Sequence, residues 1–183
     1  EAQVKFGDIT AATETTEAIK NASLRLPALL IIAKAHALVG NFQEANKITN
    51  EVANNIEKIR MPYIRTWVFA LSASALTATK NFKHARMNIL EALQTVGQIK
   101  ESSTRAEMHA LIASAQAGVS DLSGANENIN RAFTEVDKTE DPFLSALALT
   151  FIASTQSEVG QNKNYEKTIS TALTKALTLS TRP

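Results

Sequence analysis

Apolar residues recur along this chain with two superimposed periods, one short and one long. Within residues 82–99, Ala85, Ile89, Ala92, Leu93 and Val96 follow one another at intervals of four, three, one and three, which is the spacing of one face of an α-helix. Just upstream, Phe69, Leu71, Ala73, Ala75 and Leu76 predict a second helix whose small residues let a neighbour approach closely. The breaks between such helices carry stop and start signals. Gly40-Asn41, Ser120-Asp121 and Gly160-Gln161 place a permissive or small residue at one helix end, and an Asn or Asp that follows is able to cap the next. Asp141-Pro142 reads as an N-cap followed by proline at the first helical position.

The long period is 40 residues. GNFQEA (40–45), KNFKHA (80–85) and SDLSGA (120–125) end on Ala45, Ala85 and Ala125. The same register aligns Ile31, Leu71, Leu111 and Phe151, then Ala33, Ala73, Ala113 and Ala153. Downstream it aligns Thr49, Ile89, Ile129 and Ile169, Val52, Ala92, Ala132 and Ala172, and Ala53, Leu93, Phe133 and Leu173. Apolar columns that persist through every unit identify a repeat array.

The expected fold is therefore all-α, an α-solenoid of antiparallel helix-turn-helix repeats. Each repeat has a helix A and a helix B of about four turns, joined by a tight turn. The A helices are expected at 24–39, 63–79, 103–119 and 142–159, and the B helices at 42–59, 82–99, 122–138 and 163–179. Residues 1–183 form a single array with repeats at about 22–61, 62–101, 102–141 and 142–183. A partial repeat, 1–21, precedes them, because Gly7-Asp8-Ile9 and Ala12 match Gly40-Asn41-Phe42 and Ala45. Only Glu1 to Lys5 remain of its helix A, so the chain reads as a piece of a longer array.

Composition narrows the function classes. Hydrophobic content of 44% is ample for a core, and aromatics at 5% with plentiful alanine suit helix packing better than sheets. Nineteen basic and eighteen acidic side chains leave a formal charge of +1, without the basic face that a nucleic-acid binder presents. The longest apolar stretch, Leu26 to Ala33, falls far short of the roughly 18 residues of a membrane span. There is no cysteine, which removes disulfides, zinc-thiolate sites and cysteine nucleophiles but suits a reducing or an oxidising compartment equally.

At these columns the sequence resembles the tetratricopeptide repeat family. The family pattern places small residues in mid helix A, at the turn, and early and late in helix B. Those places hold Ala33, Gly40, Ala45 and Val52, then Ala73, Lys80, Ala85 and Ala92. In the third repeat they hold Ala113, Ser120, Ala125 and Ala132, and in the fourth Ala153, Gly160, Tyr165 and Ala172. Two departures stand out. The period exceeds the family's usual value of about 34 residues, and Tyr165 sits where alanine is expected.

The resemblance implies a right-handed superhelix whose A helices line a concave, partner-binding groove. Its lining is expected from Leu30 and Lys34, then Trp67, Ala70, Ser74 and Thr77, then Glu107, Ala110 and Ser114, and finally Leu147, Thr150 and Ser154. That lining is small and nearly neutral. With Lys34 as its lone basic group it does not reproduce the carboxylate clamp of some family members, and it suits an apolar or neutral segment. Trp67, the single tryptophan, is a candidate anchor. Arg25, Arg65 and Arg105 recur at one repeat position, a ladder that stops at Ser145. Inter-helix salt bridges or capping of carbonyls explain it better than a phosphate-reading track.

No catalytic constellation is legible. His36, His84 and His109 lack partners at the spacing of a helical metal pair and are expected to be surface or half-buried residues. The six glycines are scattered rather than gathered into a phosphate loop. No nucleophile elbow or triad context surrounds the serines, and no metal or cofactor is implied. The leading expectation is a protein-interaction scaffold that takes a protein or peptide partner. The alternative is self-assembly through a terminal hairpin, because Ile169, Ala172, Leu173, Ala176 and Leu177 line one face of the last helix. A peptide-sensing regulator is a third reading. RNA binding is disfavoured by charge and by the few aromatics available for stacking.

Overall fold

The computed structural model describes residues 7–180, and of Asn162, Leu179 and Ser180 the backbone alone. Among these residues the chain is all-α. The helices are α1 (Ile9–Glu17), α2 (Ala22–Leu38), α3 (Phe42–Ala53), α4 (Pro62–Ala78), α5 (Phe82–Val96), α6 (Ser102–Gly118), α7 (Leu122–Asp137), α8 (Pro142–Glu158) and α9 (Asn162–Ser180), with a single 3-10 turn at Ile56–Lys58. The four A helices, α2, α4, α6 and α8, are each 17 residues long and begin 40 residues apart. The helical-hairpin repeat is thus present in the backbone itself. The helix A of the partial repeat, Glu1 to Lys5, lies outside the described residues.

Each A-to-B turn uses the same device. Gly40, Lys80, Ser120 and Gly160 all have positive φ, at 83°, 60°, 64° and 79°, and so does Gly7 at 81°. This left-handed residue lets the next amide reach back five residues. Asn41 N–H donates to the His36 carbonyl at 2.8 Å, Asn81 to Leu76 at 2.8 Å, Asp121 to Gln116 at 2.9 Å and Gln161 to Gln156 at 2.7 Å, closing a Schellman turn in every repeat. Side chains then open several of the following helices. Asp8 accepts from Ala11 N–H, Asn41 from Glu44 N–H, Asp121 from Gly124 N–H, and Asp141 from Phe143 and Leu144 N–H.

The A helices end one residue earlier than their pattern suggests, because Val39, Thr79, Val119 and Val159 already leave helical geometry to enter the turn. The first B helix differs more, ending at Ala53 rather than 59. Asn54 and Asn55 follow it, and Asn55 Nδ2 donates to the Glu51 carbonyl at 2.8 Å. Asparagine side chains compete in this way with the helix's own hydrogen bonds.

The alanine columns form the floor of the core. Ala33, Ala73, Ala113 and Ala153 are fully buried, as are Ala45, Ala85 and Ala125 on the B helices. Methyl groups there bring helix axes close, and Ile32, Ile112 and Ile152 fill the space alongside, each burial contributing on the order of 2 kcal/mol. Tyr165 breaks its column. It stands where those B-helix alanines are buried, and it is 37% exposed, because a phenol ring does not fit the space of a methyl group.

The chain divides into two compact units, Glu1–Ala92 and Leu93–Pro183. In the first, α2 packs against α1, α3 and α4; in the second, α6 packs against α7 and α8, and α8 against α9. No helix among the described residues is long and apolar enough to cross a membrane.

Candidate functional site

The expected groove residues divide into those that face outward and those that stacking buries. In the first unit Leu30 is 1% exposed and belongs to the core, which corrects its assignment to the groove. Its column faces the following hairpin: α4 packs on α2 and covers it. Ala70 and Ala110, at the same repeat position, are also buried, whereas Thr150 in the last hairpin is exposed. Lys34 is exposed, and Trp67, Ser74 and Thr77 are half-buried. The Thr77 hydroxyl donates to the carbonyl of Ala73 at 2.8 Å, so its hydrogen goes to its own helix.

In the second unit Glu107 and Ser114 are half-buried on α6, and Leu147, Thr150 and Ser154 are exposed on α8. Burial pushes the Glu107 carboxyl above the ordinary carboxylate range. Ser114 Oγ donates to Glu158 Oε2 across the α6–α8 contact, and Thr150 Oγ1 donates to the Leu147 carbonyl at 2.6 Å.

A column that serves the repeat also turns outward. Leu71 lies between Trp67 and Ser74 on α4, Leu111 between Glu107 and Ser114 on α6, and Phe151 between Leu147 and Ser154 on α8. Spacing of i, i+4 and i+7 puts each trio on one helix face. Ile31 occupies the same place on α2, next to Lys34. Ile31, Leu71 and Leu111 are half-buried, and Phe151 is 46% exposed. The outward A-helix face is accordingly less polar than the expected groove lining. The signal was the persistence of a large apolar residue in all four repeats, at a position that the core does not fully enclose.

The arginine column is satisfied unevenly, and the Nε atoms of Arg25 and Arg65 are buried without a hydrogen-bond partner. Arg105 donates through Nη1 to the carbonyls of Ile99 and Lys100 at 2.6 and 2.7 Å, and through Nε and Nη2 to Glu135 at 3.0 and 2.5 Å. Burial pushes the Glu135 carboxyl up, but hydrogen bonds from Lys138 and Arg105 outweigh it and hold the group below the usual range. Arg25 makes a single contact with Glu51 at 3.3 Å, and Arg65 lies 5.9 Å from the Phe69 ring centre. At Ser145 the hydroxyl donates instead to the Thr139 carbonyl at 3.0 Å.

His109 departs from expectation, being 7% exposed at one end of a polar relay. Its Nδ1 lies 2.8 Å from Asn128 Oδ1, Asn128 Nδ2 donates to Gln116 Oε1 at 2.7 Å, and Gln116 Nε2 donates to Asp121 Oδ2 at 2.9 Å. With the Asn128 amide nitrogen committed to donation, its oxygen accepts and His109 Nδ1 carries the proton. Burial lowers the His109 pKa, partly offset by the bond to Asn128. In the fourth repeat Thr168 Oγ1 donates to Gln156 Oε1 at 2.8 Å, at the columns of Asn128 and Gln116. Both are buried ties between helices A and B. His36 and His84 make local contacts with Asn41 and Asn81. Among the described residues no group of three or more His, Cys, Asp or Glu side chains is placed to hold a metal ion.

A polar-rimmed cleft of about 430 Å³ runs between α7 and α9, with Asn130, Asn164, Lys167 and Thr171 at its rim and Ile129, Phe133 and Leu149 at its base. A second, apolar cavity lies on the outer side of α8 and α9. Neither a family model, nor a curated protein, nor a solved structure matches this chain.

Proposed function

We propose that this chain is a non-catalytic interaction scaffold of tetratricopeptide-like hairpins, holding an apolar or neutral segment of a partner protein against the outward faces of its A helices. The observation that carries this reading is the repeated outward column of Ile31, Leu71, Leu111 and Phe151, half-buried or exposed in every repeat. Within each unit, two A helices keep a large apolar side chain at this outward position, a pairing that favours an interaction surface over scattered surface hydrophobes. Trp67 and Leu147, one turn before Leu71 and Phe151, extend the apolar patch on their helices. Lys34 lies one turn beyond Ile31, and Ser74, Ser114 and Ser154 add small polar groups that suit neutral backbone more than an anionic ligand.

The test is affinity capture from a lysate of the source organism followed by mass spectrometry. Wild type is run beside a Trp67→Ala, Lys34→Glu variant and a Phe151→Asp variant. A protein retained by wild type and lost with either variant is the expected result. Equal retention by all three, or recovery of this chain alone, sinks the proposal.

A further inference from the structure

We infer that the cleft between α7 and α9 binds a small organic carboxylate, with Gln156 and Lys167 on the carboxylate and an apolar body on Ile129, Phe133 and Leu149. The case starts from two glutamines at one repeat position. In the third repeat Gln116 is fully used: Oε1 accepts from Asn128 at 2.7 Å and Nε2 donates to Asp121 at 2.9 Å. Gln156 repeats the first bond, accepting from Thr168 Oγ1 at 2.8 Å, but not the second. Gln161 stands where Asp121 received that amide, and its own side chain is engaged elsewhere. Its Nε2 donates to Asn126 Oδ1, and its Oε1 accepts from Asn164 at 3.2 Å. Gln156 Nε2 is thus left without an acceptor among the described residues, although Gln156 is 3% exposed and lines the cleft. A buried N–H left unpaired is costly, so the space beside it is suited to an acceptor oxygen.

Charge makes that oxygen anionic. On α7, Glu127 and Glu135 are matched by Arg131 and Arg105. At the same columns α9 carries Lys167 and Lys175, with the neutral Thr171 and Ser145 where those arginines stood. Neither lysine has an ion-pair partner among the described residues. The bond between Gln161 and Asn126 closes one end of the cleft. Lys167 lies one to two helical turns in from it, whereas Lys175 and Asp137, the acidic group of the lining, lie about three to four turns in. Lys167 is therefore unopposed, Lys175 is balanced, and the site takes one negative charge. The apolar base favours an organic body over a bare phosphate, and about 430 Å³ is the size of a small-molecule site. The cleft shares no lining residue with the outer side of α8 and α9, so a helix stacked there leaves it open. It is also separate from the A-helix column of the proposed function.

The probe is 3-phenylpropanoate, titrated into the whole isotope-labelled chain and read by the NMR shifts of its side-chain amides. A saturable shift of the Gln156 amide is expected. Lys167→Gln and Gln156→Met each weaken binding at least about ten-fold, as does replacing the probe by neutral 3-phenylpropanamide or by acetate. Lys100→Gln, exposed and outside the cleft, leaves binding unchanged. Lys167 is exposed, so its variant keeps its helical circular dichroism and unfolding midpoint. In Gln156→Met the Thr168 hydroxyl still has the Asn164 carbonyl at 2.9 Å, and the fold is kept. The inference is overturned by no saturable shift up to about 10 mM probe, or by equal binding to either cleft variant. Equal binding of the amide removes the carboxylate from the site, equal binding of acetate removes the apolar body, and either result also overturns it.

Discussion

At the residue scale, the turns expose a conflict between side chain and backbone. Four repeats need a left-handed residue at the same place, and two supply Lys80 and Ser120 rather than glycine. An L-residue in that region carries a steric penalty that glycine avoids. Lys80→Gly and Ser120→Gly should each raise stability by about 1 kcal/mol, seen as higher urea midpoints, while Gly40→Ala lowers it. His109 supplies a pH effect of known sign. Its folded-state pKa lies below the ordinary 6.5 because burial disfavours the charged ring, so the unfolded chain takes up the proton first. Its contribution is intact above about pH 6.5 and is lost as pH falls through the folded pKa. Thermal melts between neutral and mildly acidic pH should show this loss in wild type and a flatter profile in His109→Gln. Glu107 acts with the opposite sign, since its raised pKa favours folding at low pH, and comparison with the His109 variant separates the two.

At the element scale, two arginines of one column differ in what they hold. Arg105 closes the segment after α5 by binding the Ile99 and Lys100 carbonyls and ties helix A to helix B through Glu135, with the two side chains 21% and 12% exposed. Arg25 has one longer contact, with partners 39% and 45% exposed. Arg105→Ala is expected to cost about 2–3 kcal/mol, because it removes several charge-assisted bonds and strands Glu135. Arg25→Ala should cost less than about 1 kcal/mol. Chemical denaturation of the two variants side by side checks the order. The hairpin ties follow the same logic. Gln116 with Asn128 and Gln156 with Thr168 are polar at both positions, at columns that hold His36 with Ile48 and Leu76 with Asn88 in the first two repeats. That pairing of two uncharged polar side chains in the last two repeats was the trace of the ties in the sequence. Its meaning depended on both side chains being buried against each other.

At the scale of the whole molecule, stability is a sum over neighbouring hairpins, so protection should vary along each unit. In the second unit α6 and α7 are covered by α8, whereas α9 packs against α8 and leaves most of its described side chains exposed. Native-state hydrogen exchange should therefore show α9 opening at lower free energy than α6 or α7. Uniform protection across the three helices would contradict this.

The helices, their 40-residue period, the turns at Gly40, Ser120 and Gly160 and the alanine columns were legible in the sequence, whereas the left-handed turn at Lys80 carried no local signal. Each legible feature arises from local rules: helical spacing, φ preference and the space a methyl group takes. Ala33, Ala73, Ala113 and Ala153 needed no tertiary knowledge to be placed inside. Leu30, Leu71 and His109 did. Helical spacing assigns a residue to a face of its own helix, but only the neighbouring hairpin decides whether that face is covered. So Leu30 was expected outside and is buried, Leu71 turns partly outward, and His109 is enclosed by the amide of Asn128, which approaches from the next helix. Likewise, the sequence by itself determined that the last helix has an apolar face. Only the stacking of α8 on the preceding hairpin decided what kind of surface covers such a face, because burial depends on pairs of elements and not on one strand of sequence.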